Sequence, residues 1–242
     1  MKTTGIIANS INRFAKGYIF TASSFKGEVK SLDAARKALS RMADAGKIVR
    51  LSKGRFYKPE PSPFGVLPPG PDEVVKDLLE SGGRVTGYLT GLSVYNRLKL
   101  STQVGRVVQI GRNEVRPPLR RGVYRIVFLK QKNRITPENI PLLQLLDCIR
   151  QVKKIPGTSV ADACVRLRAL VAERTEDDRR TLVRLAMKYP PSTRALLGAL
   201  LGEPEDGELS VRLLESLNPL TTYGIPGAGW VLKDADVWRI RE

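Results

Sequence analysis

One stretch decides which fold is expected: residues 31–59, which read SLDAARKALSRMADAGKIVRLSKGRFYKP. Its first half predicts a helix, because Ser31 is a favoured N-cap residue and the carboxylate of Asp33 suits the positive end of a helix dipole. Apolar residues then recur at i, i+3, i+7 and i+10, the spacing of one helix face, until Gly46 ends the pattern. The apolar stripe consists of Leu32, Ala35, Leu39 and Met42.

Two short strands are expected directly after this helix, because β-prone residues flank a turn at Lys53-Gly54. Two helices are expected before it. Residues 7–14 carry apolar side chains at the spacing of one helix face, and Thr21 can begin a brief helix over residues 22–25. Three helices followed by a hairpin are typical of a winged helix-turn-helix. In its DNA-binding versions the third helix enters the major groove.

The outward side of the predicted third helix is polar and mostly cationic. Arginine can make a bidentate bond to guanine and serine can bond several base edges, so this side is the candidate reader of the major groove. Lys53 and Arg55, at the tip of the hairpin, are candidate phosphate contacts. The alternative is a solvated helix face, and winged helices also serve as protein-binding modules. The candidate DNA-binding residues of the helix are Ser31, Asp33, Arg36, Lys37, Ser40 and Arg41.

The excess positive charge of the chain lies entirely in its first 135 residues. The net charge is +9 over residues 1–60, +8 over residues 61–135 and zero over residues 136–242, which accounts for the total of +17. Lys and Arg bind nucleic acid by displacing counterions from its phosphates, so a polyanionic partner is expected for the front half. A solvated basic surface that maintains solubility is the alternative.

A second basic cluster lies between residues 97 and 125. It predicts an accessory face for nucleic acid, or a face for an acidic protein or RNA, with the outward side of a sheet as the alternative. Its candidate residues are Arg97, Lys99, Arg112, Arg116, Arg120 and Arg121, and Arg106 and Arg125 belong to the same cluster.

The remaining sequence predicts an α+β protein. Six prolines between residues 59 and 71 mark a linker, since proline continues neither a helix nor a central strand. A helix is expected over residues 88–98, followed by strands near residues 106–110 and 123–129. Beyond Pro137 the pattern is helical, and a short strand around residues 237–240 closes the chain.

The expected organisation is therefore an N-terminal winged helix-turn-helix, a mixed α/β segment and a mainly helical C-terminal region. The predicted boundaries are 1–59 for the winged helix-turn-helix, 60–71 for the Pro-rich linker and 72–242 for a C-terminal domain, divided into a basic α+β part (72–135) and a mainly helical part (136–242).

Composition excludes several classes of site. The chain contains no histidine, which rules out a Ser-His-Asp triad, a Cys-His dyad and a His-ligated zinc. Cys148 and Cys164 lie far apart in apolar helical runs, so both are predicted to be buried thiols in a reducing cytosol. No stretch of 18 apolar residues and no secretory leader is evident, which predicts a cytoplasmic protein without a membrane partner. We expect no enzyme activity, metal or cofactor.

Several short motifs resemble AbiEi-type antitoxins of bacterial abortive-infection, type IV toxin–antitoxin systems. ARKALSRM at 35–42, GKIVR at 46–50 and KGRFYKP at 53–59 are similar to the N-terminal winged helix of that family. TGYLTGL at 86–92 and LKLSTQ at 98–103 are similar to its second domain. The resemblance implies a phage-defence protein that represses its own operon and counteracts a nucleotidyltransferase toxin without forming a stable complex with it.

The residues and the resemblance together predict a DNA-binding antitoxin whose partners are operator DNA with inverted repeats and a cognate nucleotidyltransferase toxin. The alternative is a winged-helix transcriptional regulator with a sensor or partner-binding C-terminal domain and no toxin. An enzyme that acts on nucleic acid is a third hypothesis, which the missing catalytic parts disfavour.

Overall fold

The computed structural model describes residues 3–202 and 207–242, which form an α+β arrangement of helices and several small sheets. Two units are distinguished: the first contains residues 1–78 and 118–126, and the second contains residues 79–117 and 127–242. The predicted α+β class is confirmed.

The first unit alternates helices with short strands. Its elements, in chain order, are α1 (Thr3–Arg13), β1 (Ile19–Phe20), a 3-10 helix (Ala22–Phe25), α2 (Leu32–Asp44), β2 (Val49–Ser52), β3 (Arg55–Tyr57), β4 (Glu60–Ser62), β5 (Gly65–Leu67), α3 (Pro71–Leu79, to residue 78), β10 (Leu119–Arg121) and the start of β11 (Tyr124–Lys130).

Helix α2 begins where the sequence predicts, because Ser31 Oγ accepts a hydrogen bond of 3.3 Å from the amide of Ala34. Leu39 and Met42 are buried, and each such side chain contributes about 2 kcal/mol by leaving water. Leu32 is only half-buried, and Ala38 takes part in the stripe instead. The core that α2 packs into also contains Ile7, Ile11, Ala22, Phe20, Phe25, Ala35, Ile48 and Phe56.

The hairpin predicted after α2 is present and belongs to a three-stranded antiparallel sheet of order β1-β3-β2. Phe56 lies opposite Phe20 on one side and opposite Arg50 on the other. The β2–β3 turn contains Gly54, whose φ of 72° is a conformation that glycine adopts without a steric penalty. Lys58 then donates hydrogen bonds of 2.8 Å to the carbonyl oxygens of Asn12 and Phe14. Its ammonium group thus satisfies carbonyl groups at the C-terminal end of α1, where a positive charge is favourable.

The Pro-rich segment predicted to be a linker contains a two-stranded hairpin. Glu60 pairs with Leu67 and Pro61 pairs with Val66. Proline is compatible with this position because an isolated pair of strands consists of edges only. Phe64, at the turn, is almost completely exposed.

The second unit combines two small sheets and a hairpin with a group of helices. Its elements are β6 (Glu80–Ser81), β7 (Arg84–Val85), β8 (Gly87–Thr90), α4 (Leu92–Arg97), β9 (Val107–Arg112), the rest of β11, α5 (Ile140–Arg150), a 3-10 helix (Val152–Lys154), α6 (Val160–Ala172), α7 (Glu176–Ala186), α8 (Pro191–Leu201), α9 (Glu208–Glu215), β12 (Tyr223–Gly224) and β13 (Ile240–Arg241).

The helix predicted over residues 88–98 is wrong in its first half, where the chain forms β8 and pairs antiparallel with β9. Gly91 then turns the chain into α4 with a φ of 68°, and a Cβ there would lie 2.3 Å from Oε1 of Gln109. A strand and a helix joined by a left-handed glycine therefore replace the continuous helix. The helices expected beyond Pro137 are confirmed in α5, α6, α7 and α8.

The core of the second unit lies among its helices and includes Leu143, Leu146, Leu167, Leu182 and Leu197. Cys148 and Cys164 are buried free thiols within it, as predicted. Within residues 3–202 and 207–242, no helix combines the length and the apolar character needed to cross a membrane.

Candidate nucleic-acid interface

The outward side of α2 presents a compact set of polar groups, here called the α2 face: Arg36, Lys37, Ser40 and Arg41. The two arginines and the lysine are exposed and Ser40 is half-buried. Their spacing of one and four residues places them on one side of the helix, opposite the buried stripe. The structure thus brings together four of the six residues of this segment that the sequence predicted to bind DNA.

Two other predicted residues of α2 take part in the start of the helix. Ser31 is its N-cap, and Asp33 forms an ion pair with Arg36. Both partners of this pair are exposed, and an exposed ion pair holds its members only weakly. Arg36 can therefore exchange Asp33 for another acceptor.

A residue that the sequence analysis missed connects the α2 face to the hairpin. Arg50, on β2, donates a hydrogen bond of 2.9 Å from Nη2 to Ser40 Oγ, and its guanidinium carbon lies 5.0 Å from the ring centroid of Phe56. Phe56 is buried in the core, so Arg50 rests on a fixed platform. The sequence does contain a signal for this residue, because Arg50 is the one cation among the apolar residues of segment 48–51.

The two predicted phosphate contacts of the hairpin differ in the structure. Lys53 is exposed at the β2–β3 turn, and no ion pair among the described residues includes it. Arg55 is only partly exposed and forms an ion pair with Asp77 of α3. Arg55 as a phosphate contact stays a prediction, and its guanidinium would have to leave this carboxylate to bind a phosphate.

Asp77 binds a second, deeper arginine. Arg121 donates to both carboxylate oxygens of Asp77, at 2.9 Å for Nη2–Oδ2, and to the carbonyl oxygen of Val74 at 2.6 Å. Partial burial acts to raise the pKa of Asp77, but the hydrogen bonds from Arg121 and Arg55 outweigh it and hold that pKa below its usual value. This ion-pair cluster joins the hairpin, α3 and β10 within the first unit.

The second basic cluster is not one exposed set. Arg121 is buried in the ion pair with Asp77, and Arg112 is buried in the second unit, so neither side chain is presented to a partner as predicted. Arg97 is exposed, but its Nη2 donates to Oε1 of Gln144 at 2.6 Å. The exposed members are Lys99, Arg106 and Arg116 in the second unit and Arg120 and Arg125 in the first.

Among the described residues, no group of three or more His, Cys, Asp or Glu side chains is placed to hold a metal ion. The site that remains is a cationic helix face beside a two-stranded hairpin, on an α+β protein. Residues 6–166 match a family of unknown function, DUF6088, and the chain belongs to that family.

A solved structure shares this fold. The RV2827C protein from Mycobacterium tuberculosis is similar with a TM-score of 0.53 and 16% identity, over 92% of this chain and 83% of that one. At that identity the similarity concerns the fold alone. No curated protein matches the chain.

Proposed function

We propose that the first unit is a winged helix-turn-helix module that binds double-stranded DNA. In this proposal α2 lies in the major groove and the β2–β3 turn lies beside the phosphate backbone. The observation that carries it is the α2 face, which is polar and cationic on a helix whose other side is buried. A helix about 10–12 Å across fits a major groove about 12 Å wide.

The side chains divide the work by their chemistry. Arg36 and Arg41 have the planar fork that suits guanine, and Ser40 offers a hydroxyl to a neighbouring base edge. Lys53 is a point charge at the tip of the hairpin, which suits a phosphate. Each phosphate contact displaces counterions, so binding falls with rising salt.

Charge reversal on the α2 face tests the proposal. The double variant Arg36→Glu, Arg41→Glu removes both guanine contacts and repels the backbone, so we expect loss of binding to the DNA immediately upstream of the gene in a gel-shift assay. The matched control is Arg184→Glu, Lys233→Glu, which changes the net charge equally at two exposed residues of the second unit. Equal, undiminished binding by both variants, with unchanged circular dichroism, would remove α2 from the interface.

We further propose that this DNA binding represses the protein's own operon and that the chain counteracts a nucleotidyltransferase toxin in the cytoplasm. The support for the antitoxin activity is the resemblance of residues 35–59 and 86–103 to AbiEi-type antitoxins. Co-expression with the nucleotidyltransferase encoded beside the gene tests it, and rescue of growth is the expected result. A chain that binds DNA but gives no rescue is a regulator only.

The second candidate function is a winged-helix regulator whose second unit senses a ligand. A cavity lined by four cations in that unit favours it. The co-expression experiment separates the two candidates.

A further inference from the structure

We propose that the second unit binds the phosphate groups of a nucleoside triphosphate in a cavity where the end of β11, the end of α5 and the α7–α8 connection meet. The cavity has a volume of about 290 Å³. Four cationic side chains line it: Lys130, Lys132, Arg150 and Lys188. They come from three separate segments of the chain, so the fold, rather than a local run of charge, gathers them.

The cavity lining around these four cations holds no carboxylate among the described residues. No ion pair among those residues includes any of the four. All four residues are exposed, and the amino group of Lys130 donates to the carbonyl oxygen of Asn113. Like charges held at one concavity repel each other, and a polyanion relieves that repulsion.

The carboxylate that interacts with Arg150 is Asp147, and it is not free to neutralise the cavity. Asp147 is buried, and its two oxygens accept hydrogen bonds of 2.9 Å from the hydroxyls of Tyr88 and Tyr189. Burial raises its pKa, which opposes the charged form, although the tyrosines and Arg150 act in the other direction. Both of its carboxyl oxygens are thus committed to an internal network.

That network holds two buried residues of the cavity lining, Gln131 and Tyr189, by hydrogen bonds. Gln131 donates hydrogen bonds of 2.8 Å from Nε2 to both Tyr88 and Tyr189, and its Oε1 accepts one of 2.8 Å from the amide of Asn133. Gln131 and Tyr189 line the cavity, and each is buried with its polar atoms in use. Because these lining residues are already held in place, less conformational entropy is lost when a ligand binds.

The start of α8 adds to the positive potential. Pro190 and Pro191 line the cavity, and α8 begins at Pro191 without a side-chain cap. The first turn reads PSTR and contains no carboxylate. Pro190 and Pro191 have no N–H to donate, so this end of the eleven-residue helix contributes only the partial positive charge of its dipole.

Charge and size together select the ligand. Four cations and a helix end match an anion with several charges better than a single carboxylate or a monophosphate. The volume is just below the range of about 300–1,000 Å³ typical of small-molecule pockets, so it admits the phosphates while the nucleoside lies towards solvent. A nucleoside triphosphate meets both conditions.

Calorimetric titration of the full chain with ATP, GTP, AMP and inorganic tripolyphosphate tests the proposal. We expect the triphosphates and tripolyphosphate to bind more tightly than AMP. The variant Lys132→Gln, Lys188→Gln should bind ATP at least about tenfold more weakly, because it loses two charge-assisted hydrogen bonds, which are roughly twice as strong as neutral ones. Lys233→Gln, an exposed lysine of the same unit outside the cavity, is the control and should bind as the unaltered chain does.

Failure to bind ATP, GTP and tripolyphosphate, or equal binding by the cavity variant and the control, would overturn the proposal. A labelled single-stranded oligonucleotide provides the other arm. If the cavity variant loses oligonucleotide binding while ATP does not compete for it in the unaltered chain, the cavity is a nucleic-acid contact and the nucleotide assignment is wrong. Circular dichroism verifies that the variants fold.

Discussion

Arg50, on the hairpin beside α2, donates a hydrogen bond of 2.9 Å from Nη2 to Oγ of Ser40, while its guanidinium lies over the ring of Phe56. The hydroxyl of Ser40 can turn in many directions when it is unbound. By supplying a donor at one side, Arg50 leaves the hydroxyl hydrogen of Ser40 free to point outward. In the proposed complex, Arg50 is therefore a positioning residue and Ser40 is the group that contacts the base.

We predict that Arg50→Ala reduces discrimination between operator and unrelated DNA more than it reduces affinity for unrelated DNA. Loss of the hydrogen bond and of the ring contact should cost about 1 kcal/mol of stability, because Arg50 is exposed. Competition gel shifts with operator and scrambled duplexes give the ratio. Arg50→Lys keeps the charge but not the fork, so it should restore general affinity without restoring discrimination. An unchanged ratio in both variants would contradict the positioning role.

Lys53 and Arg55 lie two residues apart but should behave differently. In the proposed complex Lys53→Gln removes one phosphate contact, so the slope of log affinity against log salt should become shallower by about 0.9. Arg55→Gln instead breaks the ion pair with Asp77. It should lower the stability of the first unit and leave the salt slope nearly unchanged. Affinity measured over a series of salt concentrations, with thermal unfolding of each variant, checks both. The reverse pattern would place Arg55, rather than Lys53, at the phosphate backbone.

Asp77→Asn should destabilise the first unit, because it leaves the buried guanidinium of Arg121 without a charged partner. Breaking a fully buried pair costs about 3–5 kcal/mol, and since Asp77 is itself nearly half exposed we expect about 2 kcal/mol. The pKa of Asp77 is lowered in the native state, so its contribution is complete above an ordinary carboxyl pKa of about 4 and is lost as the pH falls through the native value.

Unfolding followed by circular dichroism at neutral and acidic pH checks this prediction. The difference between the unaltered chain and Asp77→Asn should be large at neutral pH and should shrink in acid. Asp72→Asn, an exposed carboxylate in the first turn of the same helix, is the control. If the two variants have equal stability at neutral pH, the ion-pair cluster does not stabilise the unit.

The elements that the sequence predicted best are those with strong local signals. A serine cap, a regular apolar stripe and a terminal glycine define α2 almost to the residue, and the turn at Lys53-Gly54 defines the hairpin. These features act within one or two helical turns, so they can be read without knowledge of the fold. The same reasoning located the α2 face.

The errors come from partners distant in sequence. Arg121 looks like a surface cation until the fold buries it beside Asp77. Residues 88–90 suit either a helix or a strand, and pairing with β9 decides for the strand. Likewise, no local pattern indicates that Lys132, Arg150 and Lys188 line one cavity. Contacts across 18 or more residues set these outcomes.

Gly198 of α8 lies directly against Trp238, and a Cβ at that glycine would be 2.1 Å from Cζ3 of the indole. Gly198→Ala must therefore displace a buried tryptophan, and overpacking of this kind costs about 1–3 kcal/mol. We expect a lower unfolding midpoint and a change in tryptophan emission. Gly224→Ala is the control, because a Cβ there meets nothing within 4 Å. Equal midpoints for both variants would show that the indole can move without cost.

Asp147 should give the second unit a pH dependence opposite to that of Asp77. Burial raises its pKa, although the hydrogen bonds from Tyr189 and Tyr88 act in the other direction, so the native state binds a proton more tightly than the unfolded chain does. Stability should then be greatest below a carboxyl pKa of about 4 and should decrease as the pH rises towards the native pKa. Asp147→Asn does not titrate and should lack this decrease.

Denaturant unfolding followed by tryptophan fluorescence isolates this effect, because Trp230 and Trp238 both belong to the second unit. At neutral pH the asparagine variant loses one acceptor for the tyrosine hydroxyls, which costs about 1–2 kcal/mol, but gains by removing a buried charge. Its stability relative to the unaltered chain should therefore rise with pH. Two parallel pH profiles would mean that the proton affinity of Asp147 is the same in the folded and unfolded chain.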